Sequence, residues 1–171
     1  VKAAIDAGED FNALLDKAMI PAMREIGEKF SRNEAYVPEL LIAARAMQSG
    51  LAIIEPLLAA SGRKSLGTVA IGTVKGDLHD IGKNLVAIML KGAGYDVVDL
   101  GVNCDVAKFD EGVAKGATVV ACSSLLTTTM PYMRDVVEHF KGRGVKVIIG
   151  GAPVTQAYAD EIGAFGYSED A

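Results

Sequence analysis

Residues 66–82 read Leu66-Gly67-Thr68-Val69-Ala70-Ile71-Gly72-Thr73-Val74-Lys75-Gly76-Asp77-Leu78-His79-Asp80-Ile81-Gly82. The run Leu66–Ile71 is short, apolar and rich in β-branched residues, which is typical of a buried strand. A glycine-bearing loop, residues 72–76, follows it, and helix-like sequence begins near Ile81. A strand that passes through a loop into a helix is the repeating unit of α/β folds, so this stretch predicts the first unit of a parallel sheet.

Within that stretch, Asp77-x-His79-x-x-Gly82 has the spacing of a single metal ligand with its own support. A histidine just beyond a strand can reach a ligand at the sheet edge. A carboxylate two residues earlier can accept the other ring N–H, which fixes the tautomer and makes the free nitrogen a better metal ligand. Glycine lets a large flat ligand approach the backbone closely. The trio alone fits a surface histidine paired with an aspartate equally well, so the rest of the chain must decide.

The chain beyond residue 65 alternates between strand-like and helix-like segments, which predicts a five-stranded parallel sheet flanked by helices. We therefore predict a flavodoxin-like, Rossmann-like α/β fold. The predicted strands are Leu66–Ile71, Tyr95–Leu100, Thr118–Cys122, Val145–Ile149 and Ala164–Tyr167. The predicted helices are Ile81–Leu90, Val106–Lys115, Met130–Phe140 and Val154–Ile162. Ligands of such sheets bind beyond the carboxyl ends of the strands, where the candidate residues of this chain fall.

The first part of the chain predicts a small helical bundle, because apolar residues recur there at three- and four-residue steps. Pro38 suits the first turn of a helix, whereas Pro21 should kink or break one, and Glu55-Pro56 is a candidate interruption. Ser61–Lys64 has the composition of a linker. We therefore expect a helical domain over residues 1–61 and an α/β domain over residues 62–171. Val1 lies within helix-like sequence, so we expect further residues to precede it.

Composition excludes several classes of function. The 171 residues carry a net charge of −5 and no basic patch of the kind that nucleic-acid binding needs. No apolar run reaches the roughly 18–20 residues of a membrane span, and no signal-peptide pattern opens the chain. The two cysteines, Cys104 and Cys122, form no metal-type pair, which favours a reduced, cytoplasmic setting. We expect no nucleic-acid partner and no membrane.

Three segments follow three different predicted strands: Asp77–Gly82, then Ser123-Ser124-Leu125, then Gly150-Gly151. Their order and spacing resemble the D-x-H-x-x-G, S-x-L and G-G signature of cobalamin-binding domains. In the helical part, Glu34–Leu41 resembles a turn in the cap bundle of methyl-carrying corrinoid proteins. The resemblance covers nearly the whole chain. It is to the corrinoid proteins that serve methanol, methylamines or methoxylated aromatics, and to the cobalamin module of methionine synthase.

The resemblance implies that His79 is the lower ligand of cobalt and replaces the benzimidazole of the cofactor itself. Asp77 would hold the far nitrogen of that ring, and the hydroxyl of Thr129 would continue the relay. The cobamide would thus be bound with its own base displaced and histidine attached.

The resemblance also assigns residues to the displaced nucleotide tail. Ser123 and Thr127 would hydrogen-bond this tail, Leu125 would pack against it, and Gly150 and Gly151 would leave room for it. The remaining cofactor contacts that the resemblance implies are Thr73, Val74, Lys75, Gly76, Leu78, Asp80, Ile81, Gly82 and Leu126. Asp80 is also well placed to cap the helix that starts at Ile81. Tyr36 and Leu40 are the candidates for covering the upper, methyl-bearing face.

The function implied is that of a corrinoid methyl carrier with cobalamin or a related cobamide as its cofactor. One substrate-specific methyltransferase would load the methyl group, and a second would pass it to tetrahydrofolate or coenzyme M. A reductive activase is a further expected partner. Such a protein is a subunit of a methyltransferase system and has no complete activity by itself.

Other functions remain open at the level of sequence. A cobalamin-dependent sensor or regulator shares the same two domains, and an adenosylcobalamin mutase module shares the lower-ligand motif. The upper ligand that the protein retains, methyl or adenosyl, would distinguish these possibilities. From another class, Cys122 and His79 could form a thiol–imidazole pair for acyl transfer. A flavodoxin-like nucleotide binder is disfavoured because phosphate-loop fingerprints are absent.

Overall fold

The computed structural model describes residues 1–61 and 65–168, and residues 62–64 and 169–171 lie outside this description. Most of the predicted linker Ser61–Lys64 therefore lies outside the described residues. The chain divides into two compact units. One comprises residues 1–65 with residues 88–94, and the other comprises residues 66–87 with residues 95–171.

The first unit is helical, as expected. Its elements are α1 (Lys2–Asp6), α2 (Phe11–Leu14), a π-helix (Leu15–Met19), α3 (Ile20–Ser31) and α4 (Val37–Ser61). Pro21 lies in the first turn of α3, directly after the π-helix, where helix type changes and a missing N–H is tolerated. The predicted helical run through Pro21 is thus divided among α2, the π-helix and α3. Pro56 lies inside α4, which continues through it, so the interruption considered at Glu55-Pro56 does not occur.

Helix α4 corrects one expectation about membranes. Its segment Val37–Ile54 is long and apolar enough to cross a bilayer, with a mean hydropathy of 1.3, so the expectation that no run reaches that length is wrong. The buried apolar side chains of this segment nevertheless alternate between four- and three-residue steps: Leu40, Ala44, Met47, Leu51 and Ile54. One buried stripe of this kind is the pattern of a helix in a bundle core.

The second unit confirms the predicted α/β fold. Its strands are β1 (Thr68–Thr73), β2 (Asp96–Asp99), β3 (Val119–Ser123), β4 (Lys146–Gly150) and β5 (Gly166–Ser168). They form one parallel sheet in the order β2-β1-β3-β4-β5. Its helices are α5 (Ile81–Gly92), α6 (Val106–Ala114), α7 (Tyr132–Phe140) and α8 (Gln156–Ile162). Every predicted strand and helix of this unit is present, and no end differs from the prediction by more than two residues.

Packing against the sheet explains why these segments become helices. In α7, Met133, Val136, Val137 and Phe140 share one face and are all buried in the core with the sheet residues. Asp105 begins α6 by accepting a hydrogen bond from the Lys108 N–H (3.0 Å).

The strand order places a switch point between β1 and β3, where the chain leaves the sheet in opposite directions. The register aligns the last residues of the strands, since Thr73 pairs with Ser123 and Ser123 pairs with Gly150. The predicted site residues that follow β1, β3 and β4 therefore share one edge of the sheet.

Candidate functional site

The centre of this edge is the carboxylate of Asp77, which is fully buried. Its Oδ1 accepts a hydrogen bond from the backbone N–H of His79 (3.0 Å) and lies 2.7 Å from Nδ1 of the His79 ring. Its Oδ2 accepts from the backbone N–H groups of Leu125 (2.8 Å) and Leu126 (3.3 Å) and from the hydroxyl of Thr129 (2.9 Å). Asp77 thus joins the loop after β1 to the loop after β3, across the switch point.

These donors determine the charge of Asp77. Burial by itself raises the pKa of this carboxyl. Hydrogen bonds from the backbone of His79 and Leu125, from the His79 ring and from Thr129 outweigh it and hold the pKa well below its ordinary value. The carboxylate is therefore ionised at neutral pH and can only accept hydrogen bonds.

An ionised Asp77 determines the tautomer of His79. Because Asp77 can only accept, Nδ1 of the ring must carry the proton, and the lone pair of a neutral imidazole then lies on Nε2. The His79 side chain is 51% exposed, and no hydrogen-bond partner of Nε2 is found among the residues that the structure describes. His79 therefore presents one free, well-oriented nitrogen ligand to the space beyond the sheet edge.

The loop that carries His79 is held from two further sides. The hydroxyl of Thr73 donates to the carbonyl oxygen of His79 (2.8 Å). Asn103 accepts from the Gly76 N–H through its side chain (2.8 Å) and donates its own N–H to the Asp77 carbonyl (3.0 Å). Asn103 adopts a positive φ of 53°, a conformation that asparagine tolerates better than most residues.

Four large apolar side chains are exposed in the two loops that Asp77 joins: Leu78 and Ile81 beside His79, and Leu125 and Leu126 in the loop after β3. We call these four residues the apolar rim. A Cβ added at Gly82 would meet nothing within 4 Å, so the space beside that residue is open. Exposed apolar side chains grouped at the ligand-binding edge of a sheet are typical of a binding surface for an apolar ligand.

The predicted site residues differ in their hydrogen-bond partners and in their burial. Asp77, His79, Leu125, Leu126 and Thr129 are joined by hydrogen bonds, as described above. Ser123 and Gly150 are paired at the strand ends. Asp80 accepts from the side-chain amide of Asn84 (3.1 Å), and Lys75 lies over the ring of Tyr132 (5.8 Å). Val74 is fully buried, whereas Thr127 is exposed and has no hydrogen-bond partner among the described residues.

Gly151 has a structural role that the sequence did not reveal. Its φ is +127°, and a Cβ at this position would lie 1.9 Å from the carbonyl oxygen of Ser124. The backbone of Ser124 therefore occupies the space that the missing side chain leaves. Whether Gly150 and Gly151 also make room for a cofactor tail stays a prediction.

In the helical unit, the two candidates for the upper face have opposite exposures. Tyr36 is 64% exposed, whereas Leu40 is 1% exposed and belongs to the buried stripe of α4. The side chain of Tyr36 is therefore accessible to a ligand, whereas that of Leu40 is not. Their assignment to the cofactor remains a prediction.

Sequence reasoning missed two residues of this site, Ser124 and Asn103. Ser124 was the unassigned middle residue of S-x-L, and its buried hydroxyl lies 3.3 Å from Oδ2 of Asp77. Asn103 follows β2 at the same edge, and its position in a glycine-containing loop was the available signal.

The donor set fits a metal that brings most of its own ligands. No group of three or more histidine, cysteine, aspartate or glutamate side chains that could hold a metal ion is found in residues 1–61 and 65–168. A single imidazole beside an apolar rim instead suits a metal held in an apolar macrocycle, which needs one axial ligand from the protein. The residues present therefore fit a cobalt corrinoid.

Comparison with known proteins agrees with this geometry. A family model described as a B12 binding domain matches residues 67–171, and a second model of the same description matches residues 1–55. The chain belongs to the B12-binding family. The predicted resemblance to corrinoid proteins is thereby confirmed, and a cobamide is the cofactor of this B12-binding protein.

Two relatives and two solved structures illustrate the similarity. The trimethylamine corrinoid protein of Methanosarcina barkeri is 47% identical, over 98% of this chain and 81% of the relative. The dimethylamine corrinoid protein 3 of Methanosarcina acetivorans is 41% identical, over 92% of this chain and 76% of the relative.

Both solved structures share the fold at moderate sequence identity. A crystal structure of a cobalamin-binding protein from Desulfitobacterium hafniense DCB-2 matches with a TM-score of 0.78 and 32% identity, covering 94% of this chain and 77% of that one. The methanol:cobalamin methyltransferase complex MtaBC from Methanosarcina barkeri matches with a TM-score of 0.82 and 30% identity, covering 99% of this chain and 66% of that one.

The two cysteines of this B12-binding protein are poor nucleophiles. Both are free and buried. Burial raises the pKa of Cys104 to about 11 and raises that of Cys122 still further above its ordinary value. Since the thiolate is the reactive form, the thiol–imidazole alternative for acyl transfer loses its nucleophile.

We expect iodoacetamide to modify both thiols in the native protein at least about a hundredfold more slowly than in the urea-unfolded chain, since each pKa unit changes the thiolate fraction tenfold. Mass spectrometry of peptides from native and unfolded samples at pH 8 measures this. Rapid labelling of native Cys122 would restore the acyl-transfer hypothesis.

Proposed function

We propose that this protein is a corrinoid methyl carrier whose cobamide is bound with its own base displaced and with Nε2 of His79 as the lower ligand of cobalt. The observation that carries the proposal is the Asp77–His79 pair, in which a buried, ionised carboxylate 2.7 Å from Nδ1 leaves Nε2 free at an exposed sheet edge. When bound, the cobamide supplies the cobalt nucleophile that accepts and releases a methyl group.

The residues of the chain then have separate tasks. Asp77 holds the imidazole in one tautomer and orientation, and the backbone N–H groups of Leu125 and Leu126 hold Asp77. The apolar rim excludes water from the lower face of the macrocycle. Thr73 and Asn103 brace the His79 loop, so they would keep the imidazole in place to bind the metal of the cofactor.

The nucleotide tail belongs to the same proposal. Ser123 and Thr127 are the hydrogen-bonding candidates, Leu125 is the packing surface, and Gly150 keeps the end of β4 free of a side chain. The corrin ring would be contacted by the backbone groups of the loop Thr73, Val74, Lys75 and Gly76, and Asp80 would be a further contact. Tyr36 is the candidate for the upper face. We propose two domains with separate roles, a helical cap over residues 1–61 and a cofactor-binding domain over residues 62–171.

For the methyl donor, we propose a methylamine, since the relatives named above are trimethylamine and dimethylamine corrinoid proteins with 47% and 41% identity. A methylamine-specific methyltransferase would load the carrier, and a second methyltransferase would unload it to tetrahydrofolate or coenzyme M. A reductive activase would restore the cofactor after oxidation. The two free cysteines favour the reducing cytoplasm as the compartment in which the protein acts.

Substitution of His79 tests the central claim. We expect His79→Ala to weaken the binding of methylcobalamin at least about tenfold and to shift its visible spectrum to the five-coordinate form, because the lower nitrogen ligand is lost. The ring is half exposed, so we expect the free energy of unfolding to change by only about 1 kcal/mol, the value of one hydrogen bond.

His139→Gln is the matched control, since His139 is the second of the two histidines in the chain and pairs with Asp110 (2.9 Å). Its affinity and spectrum should equal those of the wild type. An unchanged spectrum in the His79 variant would contradict the proposed ligation. Loading the holoprotein with methyl groups from trimethylamine, dimethylamine or methanol, each with its own methyltransferase, tests the donor.

A further inference from the structure

The hydroxyl of Ser124 is buried in the Asp77 network, although nothing in the S-x-L pattern assigns it a role. The residue is 1% exposed. Its Oγ lies 2.8 Å from Oγ1 of Thr129, 3.1 Å from the carbonyl oxygen of Leu126 and 3.3 Å from Oδ2 of Asp77. Two hydroxyl groups therefore lie beside the same two acceptors.

Thr129 has the same choice of partners. Its Oγ1 lies 2.9 Å from Oδ2 of Asp77 and 3.0 Å from the carbonyl oxygen of Leu126. The Leu126 carbonyl oxygen already accepts the backbone N–H groups of Thr129 (3.1 Å) and Met130 (3.0 Å), so both of its lone pairs are occupied. A hydrogen bond to an ionised carboxylate is shorter and stronger than one to a carbonyl, and Thr129 is the closer of the two hydroxyls to Asp77. The favoured arrangement has Thr129 donating to Asp77 and Ser124 donating to Oγ1 of Thr129 (2.8 Å).

The position of Ser124 is fixed by the backbone and not by its side chain. Its N–H donates to the carbonyl oxygen of Gly150 (3.2 Å), and the missing side chain of Gly151 leaves room for its carbonyl group. The backbone therefore keeps the Ser124 hydroxyl beside Thr129.

We propose that Ser124 is a positioning residue that acts through Thr129. By donating to Oγ1 of Thr129, it leaves the single proton of Thr129 directed at Asp77 and so keeps the His79 ring oriented toward its ligand. The inference rests on the proposed function, in which His79 binds cobalt. Without Ser124, Oγ1 of Thr129 loses this donor, the hydrogen bond from Thr129 to Asp77 is no longer reinforced, and the support of His79 weakens.

A double-mutant cycle with methylcobinamide tests this inference. This corrinoid lacks the nucleotide base, so its binding reports on His79 and not on the tail residues. We expect Thr129→Val to raise the dissociation constant about tenfold, as loss of a group that supports a metal ligand does. Ser124→Ala should raise it about threefold, the low end for one hydrogen bond.

The double variant distinguishes an indirect role from an independent one. Because Ser124 acts through Thr129, the Ser124→Ala/Thr129→Val protein should bind methylcobinamide as Thr129→Val alone does. Ser124→Cys, which keeps the volume and a weak donor, should fall between wild type and Ser124→Ala. Thr128→Ala is the matched control, since Thr128 lies exposed in the same turn, and its affinity should equal that of the wild type.

Two outcomes would overturn the inference. The first is two effects that multiply in the double variant, and the second is a Ser124→Ala protein with unchanged affinity. If that protein also loses folding stability in urea titrations of the apoprotein, Ser124 is assigned to packing. If His79→Ala itself leaves methylcobinamide binding unchanged, the proposed function fails instead, so the two failures are distinguishable.

Discussion

Replacing Asp77 by asparagine is expected to lower the free energy of unfolding of the apoprotein by about 3 kcal/mol, because a buried group that accepts several hydrogen bonds then meets donors that it cannot accept from. Both carboxylate oxygens of Asp77 accept backbone N–H groups, from His79 on one side and from Leu125 and Leu126 on the other. Whichever oxygen becomes the amide nitrogen, it faces a backbone donor. Urea unfolding followed by circular dichroism measures the loss.

Asp80→Asn is the matched control for this prediction. Asp80 is an exposed carboxylate three residues along the chain, paired with Asn84 (3.1 Å). Surface substitutions of this kind change stability by no more than about 0.5 kcal/mol. Equal stabilities of the two variants would show that Asp77 does not hold the two loops together.

The same carboxylate makes the difference between wild type and Asp77→Asn depend on pH. Since the folded pKa of Asp77 lies below its unfolded value, its contribution is fully present above the unfolded value of about 3.9 and is lost as the pH falls toward the folded pKa. The difference in stability between wild type and Asp77→Asn should therefore be constant between about pH 5 and 7 and should shrink as the pH falls below about 4. A difference that grows on acidification would have the wrong sign.

Replacing Gly151 by alanine is expected to be the most disruptive single change at the site, with a loss of about 4 kcal/mol or more. The new Cβ would lie 1.9 Å from the carbonyl oxygen and 2.9 Å from the carbonyl carbon of Ser124. Both atoms belong to the backbone of the loop after β3, so neither can turn aside. The φ of +127° adds strain for any residue with a side chain.

Gly150→Ala provides the comparison, since the two glycines are adjacent. A Cβ at Gly150 would meet the Ser168 carbonyl oxygen at 3.6 Å, an ordinary contact. We expect this variant to lose no more than about 1 kcal/mol. Urea unfolding of both variants is the measurement, and similar losses would mean that the close approach of Gly151 to Ser124 is not what constrains this position.

The sheet could be predicted from the sequence because its signals are local. Each strand of the second unit is a short apolar run, and each helix is bounded by residues such as Asp105 or Gly163 that begin or end helices. The helical unit was predicted less well. The continuation of α4 through Pro56 depends on packing of the whole helix, which a local rule about proline does not include.

By itself, the sequence determined the α/β fold, the edge of the sheet at which the site lies, and the pairing of Asp77 with His79, since these two residues are only two positions apart. Only the tertiary structure decided that Asp77 also binds the loop after β3, that the Ser124 hydroxyl lies beside that of Thr129, and that Gly151 makes room for Ser124. The physical reason is one of range. Hydrophobic periodicity and turn chemistry act between near neighbours, whereas the partners of a buried hydroxyl are set by which loops the sheet register brings together.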